Sequence, residues 1–361
     1  MDVWLRWYLW RHPRDASGLQ HRHRLNQVPR SIVVYSNTAL GDTLMSTPAL
    51  KALRESFPAA HITLFIHEKI HPLFAHFPYV DAFLLYYGGY RGFLRNVREL
   101  RSMRPDCILI FHANGPQDIP SAVLSGCNII LKSPTCSPYS SLLSHQFTFP
   151  SGVHTIEERL EIVRFLGGRA SDMRMVLSPE YSQSTERQYF SDHNVVIGFQ
   201  VGASDIYKTW PIESFCALAV QLLNHNNNII IALCGTAQER AIAEKVVQVD
   251  PLRVKNYCGN TQIAQLPWLV REFNVLVSND TGTMHVAVAL GVPTVGLFAS
   301  TNPSHTGIVQ DLDKHVMIVA EDCVWESNVP KKQRSNVGMG AISANEVYQC
   351  VCRHIVTTGG G

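Results

Sequence analysis

"SIVVYSNTALGDTLMSTPALKALRESFPAAHITLFI", residues 31–66, decides the fold. Ser31 to Tyr35 is a short apolar run of the kind that a strand covered on both faces shows, and "SNTALGD" leaves it as a glycine-containing loop. "STPALKALRESF" then reads as a helix, with Ser46 or Thr47 as its cap and Pro48 at its first position. Leu50, Leu53 and Phe57 fall on one face at helical spacing, and "HITLFI" is the next strand. Strand, helix and strand at this spacing make a βαβ unit, whose two strands run parallel with a right-handed crossover.

Working outward, "CILIFH" from Cys107 continues the sheet, and a polar stretch at 178–194, "SPEYSQSTERQYFSDHN", interrupts the pattern. Beyond it "VVIGFQVG", "IIIALCG", "NVLVS" and "TVGLF" read as strands, alternating with helical patterns at Ile212 to Leu223 and Ala237 to Val247. The alternation predicts an α/β chain with two doubly wound sheets and a cleft between them: an arm over 1–30, a first domain over 31–180 and a second over 181–361. Ligands of such sheets bind outside the carboxyl ends of the strands, so the loops that follow strands are where chemistry is sought. "TTGGG" at the close reads as a flexible end.

The bulk composition narrows the class. With 361 residues the chain is long enough for two domains, and 46% hydrophobic with 17% charged residues is the balance of a soluble globular protein. A formal charge of +2 is too small to argue for nucleic-acid binding and leaves room for an anionic ligand. No run of 18 apolar residues occurs, so no membrane-spanning helix is expected. The first thirty residues carry six arginines against two aspartates, interleaved with Trp4, Trp7, Tyr8 and Trp10. Such an arm suits the surface of an anionic bilayer, or is simply a frayed extension or one packed on a domain, and Arg6 together with the lack of a small-residue cleavage site argues against an export signal. The nine cysteines include no Cys-x-x-Cys pair and several sit in apolar runs, which suits reduced buried thiols and no metal site, with the trio Cys323, Cys350 and Cys352 short of a fourth ligand.

Several polar stretches follow strands. "HEKIH" at 67–71 spells a zinc-protease motif, yet His67 directly follows a strand and Pro72 biases His71 away from helical angles, so the two histidines are not expected on one helical turn. No G-x-G-x-x-G, P-loop or G-x-S-x-G is present. "NTALGDTLMSTP" places Asp42 at the mouth of a helix, where it is either a capping residue or a general base, being ionised at neutral pH and able to accept a hydroxyl proton. "QVGASDIYKTWP" brings Lys208 after a strand, either a solvated surface charge or a phosphate contact. In "LCGTAQERAIAE", Glu239 is either a first-turn acid favoured by the helix dipole or an acceptor for ribose hydroxyls. "SNDTGTMHVAVALGVP" at 278–293 offers Asp280 as a cap, the amides of Thr281, Gly282 and Thr283 at the positive end of a helix, a glycine that admits close approach, and His285 one turn on. That set suits a bound anion such as a diphosphate.

Taken together, "ALGDTLMSTPALKALRESFPAAHITLF", "GASDIYKTWP", "CGTAQER" and "SNDTGTMHVAVALGVPTVGLFASTNP" resemble glycosyltransferase family 9, the heptosyltransferases of lipopolysaccharide core assembly, in order and spacing across roughly residues 31 to 310. The resemblance implies a GT-B fold of two facing Rossmann-like domains, with the acceptor on the first and a nucleotide sugar on the second. It implies a metal-independent, inverting transfer of heptose from ADP-heptose to an inner-core sugar, with no cofactor, by a cytoplasmic enzyme at the inner face of the inner membrane. It makes Asp42 the catalytic base, brings Lys208 to the diphosphate and Glu239 to the ribose, and places Asp280, Thr281, Gly282 and His285 around the donor's phosphates and heptose. Where the family often shows a hydroxyl pair before the lysine, Ala203-Ser204 keeps only Ser204 as a donor contact; the arm lies outside the family pattern, and Cys323 alone remains of a C-terminal cysteine cluster. Alternatives from the same residues are a relative using another nucleotide sugar or a protein acceptor, and a catalytically silent nucleotide-sugar binder.

Overall fold

The computed structural model describes residues 5, 9–11, 28–134, 136–183, 189–190, 195–299, 301–320 and 337–358. The chain divides after Arg174 into two compact units. Each unit is built on one six-stranded, wholly parallel sheet.

In the first unit the strands are β1 (Ser31–Ser36), β2 (His61–His67), β3 (Ala82–Tyr86), β4 (Cys107–His112), β5 (Ile129–Lys132) and β6 (His145–Gln146), in the order β3-β2-β1-β4-β5-β6. Ile32, Val33, Val34 and Tyr35 are fully buried, as a central strand covered on both faces requires. The helix predicted after β1 is two helices, α1 (Leu40–Leu44) and α2 (Thr47–Ser56). Ser46 is the cap position of α2 but does not cap with its side chain, which instead meets Ser36 Oγ at 2.9 Å and donates to the Asp42 carbonyl at 3.0 Å; Pro48 is the second residue of the helix and not the first. Burial of Pro48, Ala49, Leu50, Ala52 and Leu53 fastens α2 to its sheet. Further along lie α3 (Phe93–Met103), α4 (Asp118–Leu124) and α5 (Thr155–Phe165). Of the N-terminal arm, Leu5 is buried in this unit's core and Leu9 packs against it, so at these positions the arm is part of the domain; most of its other residues lie outside those described.

The second unit repeats the plan with β7 (Val195–Gln200), β8 (Ile229–Cys234), β9 (Val254–Asn256), β10 (Val275–Asn279), β11 (Thr294–Phe298) and β12 (His315–Val319), ordered β12-β11-β10-β7-β8-β9. Its principal helices are α6 (Ile212–His225), α7 (Arg240–Val247), α8 (Gly282–Leu290) and α9 (Ala344–Thr358). Gly198 lies where any Cβ would overlap the Phe273 ring, which explains a glycine inside a central strand. Trp210 is fully buried, stacks edge-on against Phe215 and donates from Nε1 to the Ile342 carbonyl at 3.0 Å, tying the loop after β7 to the C-terminal segment.

Both sheets therefore carry the doubly wound order 3-2-1-4-5-6 when their strands are numbered within the unit. The order reverses between β1 and β4 in one and between β7 and β10 in the other, and a crevice for ligands opens at such a point. No helix among the described residues is long and apolar enough to cross a membrane.

Candidate functional site

At the reversal in the first sheet stand Asp42, from the short helix after β1, and His112, the last residue of β4. Asp42 does not cap α1: the cap position is Ala39, and the Asp42 carboxylate accepts a hydrogen bond from Thr38 Oγ1 at 3.0 Å. His112 Nδ1 lies 2.6 Å from Thr38 Oγ1 and 3.4 Å from Asp42 Oδ2. Burial pushes the His112 pKa down to about 4, with the Asp42 charge pulling the other way and Arg159 and Lys132 adding to the fall, so the ring is neutral at neutral pH.

Behind Asp42 lies Arg159 of α5, fully buried, whose Nη1 donates to the Asp42 carbonyl at 2.6 Å; burial lowers its pKa to about 10, against the pull of Asp42 and Glu158. Lys132 ends β5 buried, donating to the Ala113 carbonyl at 2.7 Å, and burial lowers its pKa to about 8. Asp118, at the start of α4, accepts from the Gly115 amide and from Asn37 Nδ2; burial raises its pKa in spite of these bonds. The carboxyl edge of this sheet thus holds a half-buried carboxylate on a pinned backbone, a neutral imidazole and a set of buried charges. It can accept a proton from a bound hydroxyl group.

At the reversal in the second sheet Lys208 Nζ lies 2.8 Å from Asp280 Oδ2, with 20% and 8% of the two side chains exposed. The cap position of α8 is Thr281, extended and without a side-chain cap, so Asp280 pairs with the lysine and does not cap the helix. Among the described residues the amides of Thr281, Gly282 and Thr283 donate no hydrogen bond, and they form the positive end of a nine-residue helix. His285 is on the buried side of that helix, only 2% exposed. Ser204 is exposed and its hydroxyl donates to Asp205 Oδ2 at 3.0 Å.

Glu239 completes a capping box with Thr236, as a first-turn acid does, and its carboxylate also lies over Gly202 and Gly235 in the loops after β7 and β8. A Cβ at Gly202 would overlap that carboxylate, so the glycine is required for Glu239 to reach the sheet edge. Asn279 secures the whole edge: Oδ1 accepts from the Trp210 amide at 3.0 Å, while Nδ2 donates to the carbonyls of Gln200 and Gly202. This arrangement can hold an anion at α8 with a carboxylate set to one side.

The structure thus brings Lys208, Glu239, Asp280, Thr281 and Gly282 to one sheet edge, with His285 beneath them, while Ser204 turns to Asp205. Sequence reasoning missed Thr38, His112, Arg159 and Asn279. Thr38 and Asn279 stand inside loops already quoted, yet Thr38 meets His112 74 residues away and Asn279 meets Trp210 69 residues away, and Arg159 reaches Asp42 over 117, so no local spacing marks these pairings. The zinc-protease string is dispersed, with His67 ending β2 against Tyr86 and His71 opening the next helix against Phe83. Cys323 lies outside the described residues, and Cys350 is buried in the second core.

A sequence model of glycosyltransferase family 9 (heptosyltransferase) matches residues 139–335. The chain belongs to glycosyltransferase family 9. Family membership makes it a glycosyltransferase. A lipopolysaccharide core heptosyltransferase, OpsX of Haemophilus influenzae, is 23% identical over 319 residues, 85% of this chain and 90% of the relative. A family 9 glycosyltransferase structure from Veillonella parvula superposes with a TM-score of 0.76 at 21% identity, covering 91% of this chain and 98% of the other. The E. coli ADP-heptose lipopolysaccharide heptosyltransferase II structure gives 0.73 at 20% identity, covering 91% and 100%. The fold is shared with both structures and is the GT-B architecture that the sequence resemblance implies.

Proposed function

We propose that this family 9 chain transfers heptose from ADP-heptose to a sugar of the lipopolysaccharide inner core, with inversion at the anomeric carbon and without a metal. The observation that carries the reading is the content of the second sheet's reversal point: a helix N-terminus with open amides, the Lys208–Asp280 pair at its mouth and Glu239 beside it. Its charge and spacing suit a nucleoside diphosphate, with phosphates on the amides and Lys208, and a ribose hydroxyl donating to Glu239.

In this mechanism Asp42 takes the proton from an acceptor hydroxyl as that oxygen forms a bond to the anomeric carbon and the bond to ADP breaks. The electron pair leaves with the diphosphate, whose growing charge is stabilised by Lys208 and the α8 amides. Preorganised donors of this kind contribute about 3 kcal/mol each where they have been removed singly. They supply what a divalent cation supplies elsewhere, which supports metal independence.

Placement at the inner face of the inner membrane, with a lipid-linked acceptor, belongs to the same proposal. It is supported by exposed Tyr90 and Leu94 beside exposed Arg91, Arg95 and Arg98 around the start of α3, a basic surface with apolar tips that suits anionic headgroups.

The test is turnover with ADP-heptose on defined truncated cores, read by mass, with calorimetry of ADP-heptose, ADP-glucose and UDP-sugars alongside. Transfer of one heptose with chelator present supports the proposal. Tight binding of the donor with no product on any core acceptor would assign the chain to silent binders, and turnover of another nucleotide sugar would reassign the donor.

A further inference from the structure

We propose that His112 and Thr38 are positioning residues for the base: His112 Nδ1–H donates to Thr38 Oγ1, Thr38 Oγ1–H donates to Asp42 Oδ2, and Oδ1 is thereby reserved for the acceptor's proton. The proposal rests on the reading of Asp42 as the base and deepens it.

A threonine hydroxyl has a single proton, and an ionised carboxylate only accepts. Thr38 Oγ1 lies within hydrogen-bond reach of both Asp42 Oδ2, at 3.0 Å, and His112 Nδ1, at 2.6 Å. Were the hydroxyl to donate to a bare Nδ1, Oδ2 would face two lone pairs, that of Oγ1 and that of Nδ1 at 3.4 Å, with no proton between. With the proton on Nδ1 every contact is donor to acceptor, and the N–H also points toward the carboxylate, as a neighbouring carboxylate ordinarily selects. The bare Nε2 then faces Asn114 Nδ2 at 3.4 Å, a suitable donor.

The surroundings keep the ring in a form that has one N–H. Burial and the charges of Arg159 and Lys132 oppose protonation, and Asp42 favours it and is outweighed. The backbone is prepared as well. Pairing of β1 with β4 runs Tyr35 to Ile110 and then Ser36 to His112, so Phe111 is an extra residue, and the Asn37 amide donates to the His112 carbonyl at 3.1 Å. A bulge of this kind re-aims the side chain beside it, here towards Thr38.

Arg159 holds the carbonyl of Asp42, but that leaves the carboxylate free to rotate about its own bond. Among the described residues Thr38 is the hydrogen-bond donor to the carboxylate, and it reaches Oδ2 only. Fixing one oxygen therefore fixes the direction of the other, and a base misplaced by about 1 Å loses on the order of 100-fold in rate.

Two measurements test this. In the first, the ring nitrogens of His112 are observed by NMR in the ligand-free protein at neutral pH, assigned by comparison with His112→Asn. The Nδ1–H tautomer is expected, and an Nε2–H ring overturns the proposal. In the second, His112→Ala and Thr38→Val are each expected to lower kcat by about 10- to 100-fold, leaving the calorimetric ADP affinity within about twofold. The double variant should be no slower than the worse single one, since both cut the same chain. His112→Asn, whose amide nitrogen takes the place of Nδ1, and Thr38→Ser should recover most of the lost rate. A His112→Ala enzyme as fast as the wild type, or effects that multiply in the double variant, overturns the proposal. If wild-type protein turns over no nucleotide heptose, the functional reading has failed instead, and the NMR result still decides the orientation of the chain of hydrogen bonds. Should His112→Ala fail to fold, Thr38→Val carries the kinetic test.

Discussion

Lys208 Nζ and Asp280 Oδ2 stand 2.8 Å apart at the carboxyl ends of β7 and β10, the two neighbouring strands across which the order of the second sheet reverses. The ammonium is thereby held at the mouth of α8 before any anion arrives. A charge-assisted bond from lysine to phosphate is worth about 1.5–3 kcal/mol, so Lys208→Ala should weaken ADP binding by about 10- to 100-fold. Asp280→Asn removes the anchor but keeps the cation and should weaken ADP by less. Calorimetry with both variants checks the order, and wild-type ADP affinity in Lys208→Ala would remove the lysine from the diphosphate site.

Asp42 lies in the other unit, so donor binding and proton removal should separate. Asp42→Asn keeps the shape and the Thr38 contact but cannot accept a proton. General-base loss costs about 100- to 10,000-fold, and kcat should fall by that much while ADP affinity and melting temperature stay near wild type. A parallel loss of ADP binding or of several degrees in Tm would make the residue structural.

Gly202 lies directly beneath the Glu239 carboxylate. Gly202→Ala must displace that side chain and break its bond to the Thr236 amide. Loss of a cap contact costs about 1 kcal/mol, so a fall of a few degrees in Tm is expected, with weaker binding of ADP and little change in binding of inorganic pyrophosphate. Equal loss for both ligands would separate Glu239 from the ribose.

A half-buried histidine and a buried one set an acid limit. His112 and His315 both have pKa values pushed down by burial to about 4, and neither ring nitrogen of His315 finds a hydrogen-bond partner among the described residues. Below about pH 6.5 the unfolded chain takes up protons that these folded rings refuse, so stability is full above that pH and declines as pH falls toward 4, with no further loss from these groups below it. One pK unit corresponds to about 1.4 kcal/mol, which makes the decline on the order of a few kcal/mol for each ring. Denaturant melts from pH 7 to 4 check it, and His315→Gln should flatten the slope; an unchanged slope would move the cause elsewhere.

Much of the architecture is legible from residues 31–66 because a central parallel strand must be apolar on both faces and its helix must carry one apolar stripe. β1, β2, β4, β7, β8, β10 and β11 follow from such runs. β3, β5, β6, β9 and β12 do not: β3, β6, β9 and β12 are partly exposed, which dilutes their pattern, and β5, though buried throughout, is only four residues long. The motif residues Asp42, Lys208, Glu239 and Asp280 are legible as polar residues after strands. Their partners are not: Asp42 and Asp280 both read equally well as helix caps, and only packing shows that one takes a threonine hydroxyl and the other a lysine. His112 sits at the end of an apolar run and acquires its orientation from a bulge that no local spacing announces.

A middle strand of each sheet, β1 or β7, is also the earliest strand of its unit among the described residues, and the chain passes from one unit to the other after Arg174. Synthesis therefore lays down each sheet from its centre toward both margins. A ribosome that has released the first 174 residues has delivered every strand of the leading sheet, with Asp42, His112 and Arg159 already aboard. The trailing sheet waits longer, because Trp210 finds its carbonyl partner at Ile342, 132 residues further on, and Val347, Val351 and Ile355 of α9 join its core later still.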